Sequence, residues 1–189
     1  HRDENTLSNF VNAIGNAYGD ATLNLKYLIT NTGMQEGSRI FLGAGLIIPS
    51  NNVLTENPFL EDENGSALNE HRHFSLSEGC YKTNFELQIY FKNNSTKIFF
   101  PSFYGLTINY IEPLRESDYG FLPGKNYIGI TSALFSTKLK QTWMPKGIGL
   151  GFAFVKTEKS YWDNQVAPNS ESEMLIPSIG MIGIIRIMV

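Results

Sequence analysis

The stretch TNFELQIYFK, residues 83 to 92, alternates almost without error. Phe85, Leu87, Ile89 and Phe91 leave one side of the chain; Asn84, Glu86, Gln88, Tyr90 and Lys92 leave the other. Successive side chains of an extended strand exit the pleat in opposite directions, so the pattern predicts a β-strand with one apolar and one polar face. In DATLNLKYLIT, Ala21, Leu23, Leu25, Tyr27 and Ile29 oppose Thr22, Asn24 and Lys26. SRIFLGAGLII sets Ile40, Leu42, Ala44, Leu46 and Ile48 against Arg39, Phe41, Gly43, Gly45 and Ile47. The second half of TKIFFPSFYGLTINYIE sets Tyr104, Leu106, Ile108 and Tyr110 against Gly105, Thr107 and Asn109. GIGLGFAFVK sets Ile148, Leu150, Phe152 and Phe154 against Gly149, Gly151 and Ala153. NYIGITSALFS is less clean, and IPSIGMIGIIRIMV is apolar on both faces except at Arg186. These make seven strands, and TLSNFVNAIGN within residues 1–17 is open to an eighth strand, a short helix or a loop.

Two environments suit such strands. A soluble β-sandwich turns the apolar face inward, whereas a membrane barrel turns it toward lipid and lines its lumen with the polar face. The connections discriminate. TNTGMQEG, NNST and KQTWMPKG are short, and they alternate with the longer joins 49–80, 113–125 and 159–174. Bacterial outer-membrane barrels show this asymmetry, with short periplasmic turns and longer extracellular loops. The polar face also carries Lys26, Arg39, Glu86 and Arg186, which suit a watery lumen and suit a dry core badly. Tyr27, Tyr110, Tyr127, Tyr161 and Trp162 fall near strand ends, where an aromatic girdle would lie. The expected fold is an all-β, antiparallel transmembrane β-barrel of about 8 strands, or up to about 12 if the chain is a fragment.

Composition agrees. Only 17% of the 189 residues are charged while 13% are aromatic, with 17 Gly and 9 Tyr, a mixture of strand and turn formers. The net charge of −3 and the absence of a basic run give no footprint for nucleic acid. The length fits a single domain over 1–189, with 1–17 weakly defined and 50–80 a long extracellular loop. The sequence begins His1-Arg2-Asp3 with no apolar leader, which reads as a mature form or a fragment. No apolar run is long enough for a membrane helix, leaving a closed barrel as the membrane-spanning option.

YGDATLNLKYLI, then RIFLGAGLIIPSNN, then SLSEGCYKTNFELQIYF, together resemble the outer-membrane family described as a transporter or as the MetA pathway of phenol degradation. That family tends to carry a GD-x-x-L-x-L-K-Y strand and a Gly-rich strand ending in Pro-Thr-Gly. The resemblance covers roughly residues 18 to 135 and implies an outer-membrane barrel of loosely defined transport function in a Gram-negative cell envelope. PSNN stands where the family has Pro-Thr-Gly, and the chain ends in Val189 where outer-membrane proteins commonly end in an aromatic residue.

Chemistry-bearing residues are sparse. Cys80 stands alone, without CxxC or zinc spacing, and is an ordinary small residue near a strand start. In NEHRHFSLSEG, Glu70, His71, His73, Ser75 and Ser77 could ligate a metal or serve a hydrolase, but no GxSxG elbow is present, and a polar loop accounts for them. Glu56, Glu61, Asp62, Glu63 and Glu70 lack EF-hand spacing. No cofactor or metal is expected, and no catalytic role.

The expected function is a pore or transport-related channel for small solutes in the bacterial outer membrane, lined by Lys26, Arg39, Glu86, Gln88, Thr107, Asn109 and Arg186. The alternatives are a non-conducting structural or surface-binding barrel in an envelope complex, and thirdly a lipid-modifying enzyme. Expected partners are membrane lipids, lipopolysaccharide and envelope proteins. If the long joins are extracellular, a protease added to intact cells should cut within residues 50–80 before it reaches NNST; an epitope at Asn93 that labels on intact cells while one at Asn64 stays silent would invert the topology.

Overall fold

The computed structural model describes residues 18–33, 35–53, 55–60, 76–94, 100–136 and 147–182. Each segment read as a strand forms one: β1 (Ala21–Asn31), β2 (Gly37–Ile48), β3 (Lys82–Lys92), β4 (Phe103–Pro113), β6 (Asn126–Ser136), β7 (Gly147–Thr157) and β10 (Ser172–Ile182). Three two-residue strands, β5 (Phe121–Leu122), β8 (Tyr161–Trp162) and β9 (Gln165–Val166), lie in the long joins. The expected eighth strand in 1–17 lies outside the described residues.

The seven long strands form one antiparallel sheet in the order β1-β2-β3-β4-β6-β7-β10, in which each strand pairs with its sequence neighbour among them. This up-and-down meander puts the strand ends Ile48, Lys82, Pro113, Asn126, Thr157 and Ser172 at one end of the sheet, the long-join end, and Asn31, Gly37, Lys92, Phe103, Ser136 and Gly147 at the other, the short-join end. The join after β3 is longer than NNST because β4 begins only at Phe103, after Pro101, which has no N–H to offer a ladder.

The closed barrel of the sequence reading is met in part. The fold is antiparallel all-β, but among the described residues β1 and β10 pair on one side only and the sheet is open. β10, an edge strand, accommodates a proline within its length, Pro177, whereas Pro113 stands at the end of β4.

Register carries face identity across the sheet. Glu86 stands opposite Gly43 and Asn109, Gly43 opposite Lys26, and Asn109 opposite Ile128. The polar sides of β1 to β4 therefore form one continuous face, which β6, β7 and β10 extend with Ile128, Ile130, Gly149, Gly151, Ala153, Ser178 and Gly180. The opposite face carries Leu42, Phe85, Ile108, Leu150, Phe152 and Ile179, all exposed. On β3 burial separates the two faces, Asn84 being 8% exposed and its neighbour Phe85 51%, whereas the edge strand β1 is exposed almost throughout. We call this better-shielded polar side of β3 and its continuation across the sheet the inner face.

Alternation breaks once. A bulge between Leu28 and Thr30 leaves Ile29 without a partner on β2, which is how three successive apolar residues, Tyr27, Leu28 and Ile29, fit a two-faced strand.

Few apolar side chains are buried. Among the described residues the buried hydrophobic ones are Cys80, Trp162 and Ala167, and they belong to a small cap built by the long joins. There β5, β8 and β9 make a three-stranded sheet, Phe121 and Trp162 pack with ring centroids 4.9 Å apart, and Ser160 Oγ accepts from Gly124 N at 3.0 Å. Asp163 and Asn164, both at positive φ, make the tight turn between β8 and β9. The sequence reading placed Tyr161 and Trp162 in an outward girdle; instead they pair within this cap, where the Phe121 ring packs on Trp162 and Trp162 is buried. Tyr27, also assigned to a strand end, sits mid-strand opposite Leu42.

Cys80 Sγ lies 3.3 Å from the carbonyl oxygens of Glu78 and Phe121, and burial pushes its thiol pKa up from 9.0 to about 11. A raised pKa means that the folded state keeps a proton the unfolded chain releases, so the stabilisation is full below pH 9 and declines as pH rises toward 11. Cys80 should resist maleimide at pH 8 in the folded protein and react after unfolding, and Cys80→Ala should flatten the loss of stability between those pH values. Rapid native labelling would place the thiol outside the cap.

Candidate functional site

The inner face gathers the residues expected to line a lumen. Lys26 Nζ lies 2.7 Å from Glu86 Oε2, bridging from β1 across β2 to β3, and Gln88 Nε2 donates to Glu86 Oε1. Asn109 stands directly opposite Glu86 on β4, and Thr107 opposite Gln88. Arg39 is on the same face toward the short-join end, where its guanidinium donates to Gly33 O at 2.5 Å. Six of the seven expected residues therefore share one face; Arg186 lies outside the described residues.

Geometry explains why the long polar chains fit. Lys26 and Glu86 can meet because the residue between them is Gly43. One register step away, Asn84 Nδ2 donates to Asn24 Oδ1 at 3.3 Å across Gly45, where any Cβ would collide with Asn24 Oδ1. Asn24 and Asn84 were not singled out from the sequence as lining residues, although their parity with Lys26 and Glu86 places them beside those two. Asn84 Oδ1 and Asn109 Oδ1 are buried and accept no hydrogen bond among the described residues.

The Glu86 side chain is 15% exposed and that of Lys26 44%, so the pair is neither a surface bridge nor a fully dry one. Its net contribution belongs between the ~0–1 kcal/mol of exposed pairs and the ~3–5 kcal/mol lost when one partner of a buried pair is removed. The inner wall also divides in two. β1 to β4 carry amide, carboxylate and ammonium groups, while β7 and β10 carry small and apolar residues: Gly149, Gly151, Ala153, Val155, Met174, Ile176, Ser178 and Gly180. The first half can bind and orient polar solutes by hydrogen bonds and charge; the second offers small and apolar side chains.

On the outer face, near the long-join end, the rings of Tyr110 and Tyr127 lie 4.9 Å apart and Tyr127 OH donates to Glu158 at 3.3 Å. Lys125 Nζ sits 2.6 Å from Glu112, whose hydrogen bond and charge hold the ammonium above the usual lysine range.

The remaining candidates do not assemble a second site. His71, His73, Ser75, Glu61, Asp62, Glu63 and Glu70 lie outside the described residues. Ser77 is buried in the cap, with its Oγ accepting from Gly79 N at 3.0 Å. Among the described residues no group of three or more His, Cys, Asp or Glu side chains is arranged to hold a metal. Comparison with protein-family models, curated proteins and solved structures yields no match to this chain.

A Lys26→Met, Glu86→Gln double-mutant cycle tests the pair. Each single change should destabilise, and denaturant unfolding should give a coupling of about 1–2 kcal/mol. Additive effects would show that the two charges do not interact.

Proposed function

We propose that the protein is a β-barrel of the bacterial outer membrane that provides a path for small solutes along the inner face of its sheet. The supporting observation is the sidedness of the sheet. Leu23, Leu25, Leu42, Phe85, Ile108, Leu150, Phe152, Phe154 and Ile179 are exposed on one face, while the charges of β1 to β3 meet on the other. In water each such side chain forgoes about 1.5–3 kcal/mol of burial, and a patch of this extent marks contact with another apolar phase. Lipid supplies that phase. Each long strand has 11 or 12 residues, longer than the ~5–6 usual in soluble domains and close to the ~9–11 that cross a bilayer when tilted.

Membrane insertion requires the outer edges of β1 and β10 to be paired, since bare N–H and C=O groups are too costly in hydrocarbon. Closure of the sheet on itself meets that requirement. The resemblance to the family described as a transporter or the MetA pathway of phenol degradation points to the same location and role. In this reading Tyr110, Tyr127 and the Lys125–Glu112 pair sit at the outer headgroup level, against lipopolysaccharide, and the chain performs transport, not catalysis.

A second reading has its own support. Glu86 is fully engaged by Lys26 and Gln88, as in a barrel whose interior is filled by paired side chains. Such a barrel would not conduct and would serve as a structural or surface-binding element of the envelope.

The purified protein should require detergent, migrate differently on a gel before and after boiling, and give discrete conductance steps in planar bilayers. Glu86→Lys should shift ion selectivity toward anions, because fixed charge in a narrow low-dielectric passage acts strongly on passing ions. Insertion without conductance would favour the filled barrel, and recovery as a detergent-free monomer would end the membrane reading.

A further inference from the structure

The cap built by the long joins carries a cleft of about 400 Å³. Phe59 and Phe121 give it apolar walls, and Phe59 is 42% exposed. Trp162, also in the wall, is only 4% exposed, with its ring packed on Phe121. Its indole N–H nevertheless donates to no acceptor among the described residues. A buried donor without a protein partner is uncommon, because nothing offsets the cost of taking it out of water.

Ser160 repeats the pattern. It is 8% exposed, its Oγ accepts from Gly124 N at 3.0 Å, and its own hydroxyl hydrogen has no acceptor among the described residues. Both side chains are thus more than nine-tenths buried, line one cleft and have a donor to spare. Acceptors border the same cleft. The Asn169 side chain makes no hydrogen bond among the described residues. Glu78 is paired with Lys82 through one carboxylate oxygen, and the other keeps its lone pairs. None of the described lining residues is a cation.

We propose that this cap cleft binds a neutral sugar ring. A pyranose has apolar C–H faces that pack on aromatic rings and a rim of hydroxyls that both accept and donate. The Trp162 N–H and the Ser160 hydroxyl meet acceptors on that rim, Asn169 and Glu78 meet its donors, and Phe59 and Phe121 cover a C–H face. An anion finds no cation in the described wall and approaches the Glu78 carboxylate. An apolar ring leaves the two buried donors without acceptors. A cleft of this size takes a small organic ligand. Because the site lies in the cap, it is independent of whether the inner face of the sheet conducts.

NMR titration of the purified protein in a polyoxyethylene detergent, which carries no sugar, tests this with the methyl glycosides of glucose, galactose and mannose. At least one should bind and shift the Trp162 indole N–H resonance, assigned by its loss in Trp162→Phe or its survival in Trp143→Phe. The uronate of the bound sugar, and cyclohexanol, should each bind at least about tenfold more weakly. Trp162→Phe keeps a ring and removes the donor; Asn169→Gly keeps the φ of 53° accessible and removes the amide. Each should weaken binding about fivefold, and Phe59→Ala about tenfold. Lys156→Gln, on the outer face of the sheet, should leave binding unchanged. If circular dichroism shows that Trp162→Phe does not fold, Phe59→Ala and Asn169→Gly carry the test. Binding of none of the three glycosides, equal binding of the uronate or of cyclohexanol, an unmoved Trp162 resonance, or folded Phe59→Ala and Asn169→Gly proteins that bind as the parent does would overturn the inference.

Discussion

Each strand of this protein has two faces, and the sheet keeps them consistent through six successive pairings. Because side chains alternate with a period of two, a slip of one residue at any pairing would move a whole strand's apolar set to the other side. No such slip occurs along β2, β3 and β4, where Gly43, Glu86 and Asn109 stay in line. The single irregularity, at Ile29, lies near the end of an edge strand, where it displaces the fewest neighbours. Everything else about the molecule depends on this consistency: the polar cluster, the ring contacts of Phe41, Tyr90 and Phe103, and the apolar exterior are each assembled from several strands.

The distribution of burial inverts that of a water-soluble fold. A soluble sheet hides its large apolar residues and displays its charges, yet here Phe85 and Leu42 are exposed while Asn84 is buried and Glu86 nearly so. The closest packing lies away from the apolar belt, in the cap, where Cys80, Trp162, Ser117 and Ser160 are buried. Cap and sheet thus differ, the cap closing on a small buried core and the sheet leaving its large apolar residues exposed.

The inner face also shows how glycine and long polar residues divide the work. Gly43 and Gly45 on β2 leave room for Lys26 and Asn24 of β1 to reach Glu86 and Asn84 of β3, skipping a strand. Gly105 does the same for the Tyr90 ring. Polar reach is concentrated in β1 to β4, and on the same side of the sheet β7 and β10 carry small and apolar residues. Such a division can fill a narrow interior or leave a lane through it, which is why transport and plugging are the two functional readings.

Alternation along single segments was enough to identify all seven long strands and to say which side chains share a side, because the pleat is a local property of the chain. It placed Lys26, Arg39, Glu86, Gln88, Thr107 and Asn109 on polar sides. The two positive-φ residues Asp163 and Asn164 were also readable as a tight-turn signal, and that signal was missed. What alternation could not reach is partnership. That Lys26 meets Glu86 across Gly43, that Phe41 meets the Tyr90 ring edge-on while Phe103 stacks on it, and that Trp162 turns into a cap all depend on residues far apart in sequence, whose proximity is set by register and by how the joins pack. A strand's faces are written in its own letters; its neighbours are decided only when the sheet is built.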